Sequence, residues 1–167
     1  MARVVLLTGG NSGDMSIRLQ EAKELIQSRI GVVTLASSYY KSPPWGFDSP
    51  TLFMNQALVV ETSLNPEELL QRTQQIECML GRDHNAEQLV KLANGARYAD
   101  RPMDIDILFY DDCVITRPNL LIPHPGIPGR EYVLIPLSEI MGNYRHPLIG
   151  RTIGELLEDL KRHEPKL

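Results

Sequence analysis

FMNQALVVETSLNPEELLQRTQQIECMLG, from Phe53 to Gly81, contains half of a crossover unit. Its start, Phe53–Glu61, is apolar with adjacent β-branched valines and reads as a strand. Asn65-Pro66-Glu67-Glu68 then opens a helix, with a side-chain cap, proline at the first helical position and acids in the first turn. The helix runs to Leu80 and Gly81 ends it. A strand that feeds a helix needs another strand beyond it.

That partner is Asp104–Tyr110, inside DRPMDIDILFYDD. Upstream, Arg3–Thr8 reads as a strand and GGNSGD as a turn. Met15, Leu19, Ala22, Ile26 and Ile30 then form one stripe of an amphipathic helix, with Asp14 as N-cap and Gly31 as C′ residue. Val32–Ser38 is a second strand. The order β-α-β-β-α-β predicts a ferredoxin-like α+β sandwich: a mainly antiparallel sheet with helices on one face.

Several segments fall outside this unit. Ser42–Pro50, SPPWGFDSP, cannot be regular structure, because proline lacks an N–H donor and fixes φ. Residues 82–101 form a long, basic-leaning connection with room for a short helix around Ala86–Leu92. Cys113–Thr116 predicts a short strand, and the proline-rich Asn119–Leu137 an ordered loop followed by a short helix. Thr152-x-x-Glu155 is a capping box ahead of Ile153, Leu156, Leu157 and Leu160, giving a C-terminal helical extension.

Length and composition set bounds. At 167 residues, one domain over 1–167 with one sizeable core is expected. The net charge of −4 offers no global field for nucleic acid. An anionic ligand needs a local basic cluster, for which Arg82, Lys91, Arg97, Arg101 and Arg130 are candidates. No apolar run is long enough to span a bilayer, and MARVVLLTGG lacks the long apolar region of a signal peptide. Cys78 and Cys113 are far apart and in no CxxC pattern, which predicts reduced thiols in a cytoplasmic protein.

Four features bear on chemistry. Asp104 and Asp106 sit two apart on a strand, roughly 6.6 Å between Cα atoms at ~3.3 Å per residue, and share a face with Leu108. Ile105, Ile107 and Phe109 take the other face. A bare D-x-D most simply makes a wet strand face. Its hard oxygens also suit Mg²⁺, which takes the rest of its shell from water and phosphate. Glu77 projects beside the apolar stripe of Leu69, Leu70, Thr73, Ile76 and Leu80, so it needs a partner: Arg82 or a ligand. Pro123-His124-Pro125 followed by Arg130 is either polar surface or a rigid phosphate grip. GGNSGD matches neither phosphate-loop nor dinucleotide patterns, so its glycines read as a turn, with Asn11 able to present its amide.

In this order and spacing, SSYYKSPPWG, FMNQALVVETSLNPEELL, QQIECMLGR, RPMDIDILFY and LIPHPGIPGREYVLIPL resemble the 6-hydroxymethyl-7,8-dihydropterin pyrophosphokinases of folate synthesis. The resemblance covers nearly the whole chain. It implies transfer of the β,γ-pyrophosphoryl group of ATP to the hydroxymethyl oxygen of the pterin, leaving AMP. It implies two Mg²⁺ ions on Asp104 and Asp106, with Arg82 and Arg101 on phosphate as catalytic residues. Gln74, Glu77, Ile107, His124 and Arg130 match nucleotide-side positions. For the pterin it implies stacking between Phe53 and Tyr132, hydrogen bonds from Asn55, and a rim of Ser42, Pro43 and Trp45. Tyr98 stands in Arg97-Tyr98-Ala99-Asp100-Arg101 where the family commonly has tryptophan, and His84 and Asn119 where arginine is frequent. A monomer acting on ATP and the pterin is expected, with neither nucleic acid nor membrane as partner. Two rivals stand beside this reading: a non-catalytic nucleotide- or metal-binding module of the same fold, and a kinase that moves only the γ-phosphate.

Overall fold

The computed structural model describes residues 1–42, 52–81 and 102–163. Five strands form the main sheet: β1 (Ala2–Gly10), β2 (Gly31–Ala36), β3 (Tyr40–Ser42), β4 (Phe53–Thr62) and β5 (Asp104–Tyr110). The order is β2-β4-β1-β5, every pairing is antiparallel, and β3 continues beside β4. Helix α1 (Met15–Arg29) carries the chain from β1 to β2, and α2 (Pro66–Met79) lies between β4 and β5. This is the predicted ferredoxin-like path. A hairpin of β6 (Ile115–Arg117) and β7 (Leu120–Ile122) follows, then α3 (Glu131–Met141) and α4 (Ile153–Arg162).

Helices α1 and α2 keep to one face, as expected of the ferredoxin-like unit, and the C-terminal helices cover the other. On one side, Leu6, Leu58, Val60, Ile105 and Ile107 pack with Leu19, Ile26, Leu69 and Ile76 of α1 and α2. On the other, Val5, Leu7, Ala57, Val59 and Phe109 pack with Val133, Leu134 and Leu137 of α3 and Ile153 and Leu156 of α4. The physical reason lies in the strands. Val4–Leu7 and Ala57–Val60 are unbroken apolar runs, and strands of that kind are stable only when both faces are covered.

Alternation also fails once along β5. The β1–β5 register slips between Val5 and Leu6: Val5 opposes Phe109, while Leu6 opposes Ile107. Leu108 is the extra residue of a bulge, so Phe109 turns to the α3/α4 side instead of joining Ile105 and Ile107. Below the bulge the pleat is regular, and Asp104 and Asp106 point to the α3/α4 side with Leu7 and Ala57.

The caps form as read. Asp14 accepts from the backbone of Ser16 and Ile17. Asn65–Glu68 and Thr152–Glu155 are complete capping boxes, and Gly81 has a φ of +98° beyond α2. Gly31 needs its missing side chain for a different reason than expected. A Cβ there would lie 2.0 Å from the Glu61 carbonyl oxygen, so the demand is close strand approach, not a left-handed turn. Arg18 bonds the carbonyls of Leu80 and Pro102, tying α1 to the end of α2 and the approach to β5. The short helix expected around Ala86–Leu92 lies outside the described residues.

Candidate active site

The open end of the sheet is built by register. Gly9 of β1 opposes Asn55 of β4 on one side and Asp104 of β5 on the other, and Asn55 in turn opposes Tyr40 of β3. Directly opposed residues share a face. Asn55 and Asp104 therefore flank Gly9 in one row, with Phe53 two residues further along β4, opposite Ser42, and Asp106 one pleat deeper. Gly9 and Gly10 belong to β1 itself, not to the turn their composition predicted. A Cβ on Gly9 would stand 2.0 Å from Asn55 Nδ2, so the glycine lets the Asn55 side chain lie across β1. Asn55 Nδ2 donates to the Thr8 carbonyl at 3.4 Å, while its buried Oδ1 has no hydrogen-bond partner among the described residues. A buried acceptor in that state costs about 1–3 kcal/mol until a donor arrives.

Glu77 has a backbone partner that the sequence alternatives did not include, while Arg82 lies outside the described residues. Its side chain is buried, and Oε2 accepts from the backbone N–H of Ile105 at 2.8 Å. Ile105 lies between the two acids. The backbone of β5 is thus held by β1 along one edge and by a carboxylate of α2 on the other. A hydrogen bond to a charged group of this kind contributes about 1.5–3 kcal/mol. Glu77 acts here on the strand that carries the acids. Gln74, one turn earlier on α2, is exposed, and Ile107 packs into the α1/α2 core.

The loop before α3 brings the cationic side. The His124 backbone N–H donates to the Leu108 carbonyl at 3.0 Å, which pins the loop to the bulge of β5. His124 Nδ1 accepts from the Gly126 N–H at 3.0 Å, so the neutral ring carries its proton on Nε2, which lies 3.9 Å from Asp106 Oδ1. Burial, helped by Arg130, lowers the His124 pKa against the opposing pull of Asp104. The Arg130 guanidinium folds over Gly126 and stands 5.9 Å from the centre of the Tyr132 ring. Burial raises the Tyr132 pKa; Arg130 opposes the shift, and Asp106 and Asp104 add to it. Asp104, Asp106, His124, Arg130 and Tyr132 thus converge on the row that holds Asn55. Pro43, Trp45, Arg82, Tyr98 and Arg101, with Arg97, Lys91 and His84, lie outside the described residues.

A second histidine repeats the acceptor arrangement away from the site. His146 is buried, its Nδ1 accepts from the N–H groups of Leu148 and Ile149, and burial lowers its pKa. Both histidines bind protons less readily folded than unfolded. Stability is therefore full above the unfolded value near 6.5 and falls as acidification drives protons on. The melting temperature should drop between pH 7 and pH 5. His146→Asn, which keeps an acceptor without a titrating ring, should flatten that slope in thermal melts; an unchanged slope would exclude His146 as a contributor.

The fold is shared with pterin pyrophosphokinase domains. A crystal structure of Plasmodium falciparum HPPK-DHPS matches with a TM-score of 0.76 at 17% identity, covering 95% of this chain and 45% of the other. An HPPK-DHPS structure in complex with substrates gives 0.73 at 14% identity, over 95% and 43%. At those identities the likeness is one of fold, and this chain spans under half of the two-enzyme chains. Sequence reaches further. The family model for 7,8-dihydro-6-hydroxymethylpterin-pyrophosphokinase matches residues 5–142. The 2-amino-4-hydroxy-6-hydroxymethyldihydropteridine pyrophosphokinase of Porphyromonas gingivalis is 38% identical over 148 residues, 88% of this chain and 95% of that protein. The Bacillus subtilis protein of the same name is 39% identical over 133 residues, 79% and 74%. The chain belongs to the 7,8-dihydro-6-hydroxymethylpterin-pyrophosphokinase family.

Proposed function

We propose that this protein transfers pyrophosphate from ATP to 6-hydroxymethyl-7,8-dihydropterin, releasing AMP and the pterin diphosphate, as a step in folate synthesis. The observation that carries the reading is the row Asn55–Gly9–Asp104. It sets a buried amide oxygen, unpartnered among the described residues, in one row with the carboxylate pair. A flat heterocycle with N–H donors satisfies Asn55, and Phe53 and Tyr132 offer aromatic faces for its rings. Its hydroxymethyl group then points toward Asp104 and Asp106.

The donor set fits Mg²⁺. Two hard carboxylates stand on one strand face, and no group of three ligating side chains occurs among the described residues. Such a pair suits a cation that completes its shell with water and phosphate oxygens. When bound, Mg²⁺ supplies charge neutralisation along the triphosphate, and we assign two ions to Asp104 and Asp106. The chain's own residues do the rest. Glu77 and β1 fix the backbone of the acids. His124, neutral at pH 7, turns Nε2–H toward the phosphate side, and Arg130 adds fixed positive charge there. Arg82 and Arg101 are assigned to phosphate and Gln74 and Ile107 to the nucleoside. Ser42, Pro43, Trp45 and Tyr98 are assigned to the pterin rim. Pyrophosphoryl transfer depends on in-line placement and electrostatic stabilisation, and we assign the second to the carboxylate-bound Mg²⁺, His124 and the arginines.

We further assign the whole chain, 1–167, to one domain acting as a monomer in the cytoplasm. Cys78 and Cys113 are exposed and unpaired, and among the described residues no helix is long and apolar enough to cross a membrane. The test is product analysis. Incubated with ATP, Mg²⁺ and the pterin, the protein should form AMP in step with pterin diphosphate. ADP instead would establish γ-phosphate transfer, and the absence of turnover would establish a binding module.

A further inference from the structure

We infer that Glu139 and Ser38 form a clamp that positions the pterin-binding wall of the site; the inference rests on the pyrophosphokinase reading. The chain leaves β2 after Ala36 and rejoins β4 as β3 at Tyr40. The two serines between are heavily bonded. Ser37 is buried: its N–H donates to Ala57 O at 2.9 Å, its Oγ accepts from Ala57 N at 2.9 Å, and its carbonyl accepts from Gln56 Nε2 at 2.8 Å. Ser38 turns the other way. Its N–H meets both carboxylate oxygens of Glu139 at 3.0 Å, and its hydroxyl donates to Oε1 at 2.7 Å.

The placement of Glu139 gives the clamp its consequence. It follows Tyr132 by two helical turns, so both project from one side of α3, which packs on β4 and β3. Tyr132 overlooks the acids at one end, while Glu139 grips Ser38 at the other. Beyond Ser38, Tyr40 opposes Asn55 and Ser42 opposes Phe53. The clamp therefore ties the helix bearing one aromatic wall to the strand that backs the other wall and the amide between them. Ser38 and Glu139 are both exposed, so water competes for these bonds and they add little to global stability. Their effect is on local order, and that makes Glu139 a positioning residue.

The test measures binding of the pterin in the presence of Mg²⁺ and a non-hydrolysable ATP analogue, and of the analogue alone. Glu139→Ala should weaken pterin binding about five- to tenfold, leave analogue binding within about twofold, and keep the melting temperature within about 2 °C. Glu139→Gln, which keeps one acceptor oxygen, should recover part of the affinity. Ser38→Ala removes only the hydroxyl bond and should cost about two- to threefold, with no added cost in the Glu139→Ala background. Unchanged pterin affinity in Glu139→Ala overturns the clamp, as does an equal loss for both ligands. Should Glu139→Ala fail to fold, Ser38→Ala decides: no weakening of pterin binding overturns the proposal. Wild-type protein that yields no AMP would instead overturn the parent reading. Wild-type turnover with normal pterin binding in the variants sinks the clamp alone.

Discussion

Asp104→Ala and Asp106→Ala should each lower AMP formation about a thousandfold while the protein stays folded. Both acids leave the same face of β5, beyond the bulge, and neither belongs to the two apolar clusters. The backbone that carries them is held from both edges, by β1 and by Glu77 through the Ile105 N–H. Removing one carboxylate leaves those backbone bonds intact. The two apolar clusters are also untouched, so the protein should stay folded. Under the proposed assignment the loss falls on the reaction, because one carboxylate holds Mg²⁺ against a triphosphate less well than two. Asp104→Asn and Asp106→Asn keep the shape and lose the charge. They should raise the Mg²⁺ concentration needed for half-maximal rate as well as lower the rate. Near-normal AMP formation in either alanine variant would show that the carboxylate pair is not the metal site.

The elements were legible where local chemistry determines them. Asn65-Pro66-Glu67-Glu68 and Thr152-x-x-Glu155 announce helix starts through caps that depend only on neighbours in sequence, and both are in place. The strand face of Asp104 and Asp106 was legible for the same reason: a pleat alternates unless something interrupts it. The interruption at Leu108 left no mark in composition, since an apolar residue serves equally in a bulge and in a regular strand. Coverage of both sheet faces was written in Val4–Leu7 and Ala57–Val60, whose lack of alternation meant burial on two sides. The three-residue strands β3 and β7 are too short to show a period. Asn55, Asp104, Asp106, His124, Arg130 and Tyr132 come together at one end of the sheet, and the roles assigned to them belong to the proposed function. The bond from the Ile105 N–H to Glu77 was not legible, because it comes from the backbone of another strand, and no side chain in the sequence marks it. Glu139 and Ser38 were missed for a similar reason. A carboxylate on an exposed helix face looks like solvated surface until the fold brings a serine to it.

A single added carbon at Gly9 should act directly on the pterin side of the site. Gly9→Ala should weaken pterin binding by about 2 kcal/mol, roughly thirtyfold, with ATP-analogue binding close to wild type. The new Cβ would fall 2.0 Å from Asn55 Nδ2, 2.8 Å from Asn55 Cγ and 3.1 Å from the Met54 carbonyl oxygen. The amide must swing away, since the strand backbone beneath it is held by pairing to β4 and β5. Its 3.4 Å bond to the Thr8 carbonyl breaks, and Oδ1 leaves the row shared with Asp104. Global stability should change little. Alanine in a strand gains about 0.5–1 kcal/mol over glycine from reduced chain entropy, which offsets part of the local crowding. Asn55→Ala removes the same amide directly and should cost the pterin about as much. The double variant should then bind no worse than either single one, because both changes delete one contact. Equilibrium titration of pterin and nucleotide analogue against the four proteins checks this. Gly9→Ala with wild-type pterin affinity would mean that Asn55 does not read the heterocycle. Matching losses for pterin and nucleotide would place the role of Gly9 in strand pairing rather than in the slot above it.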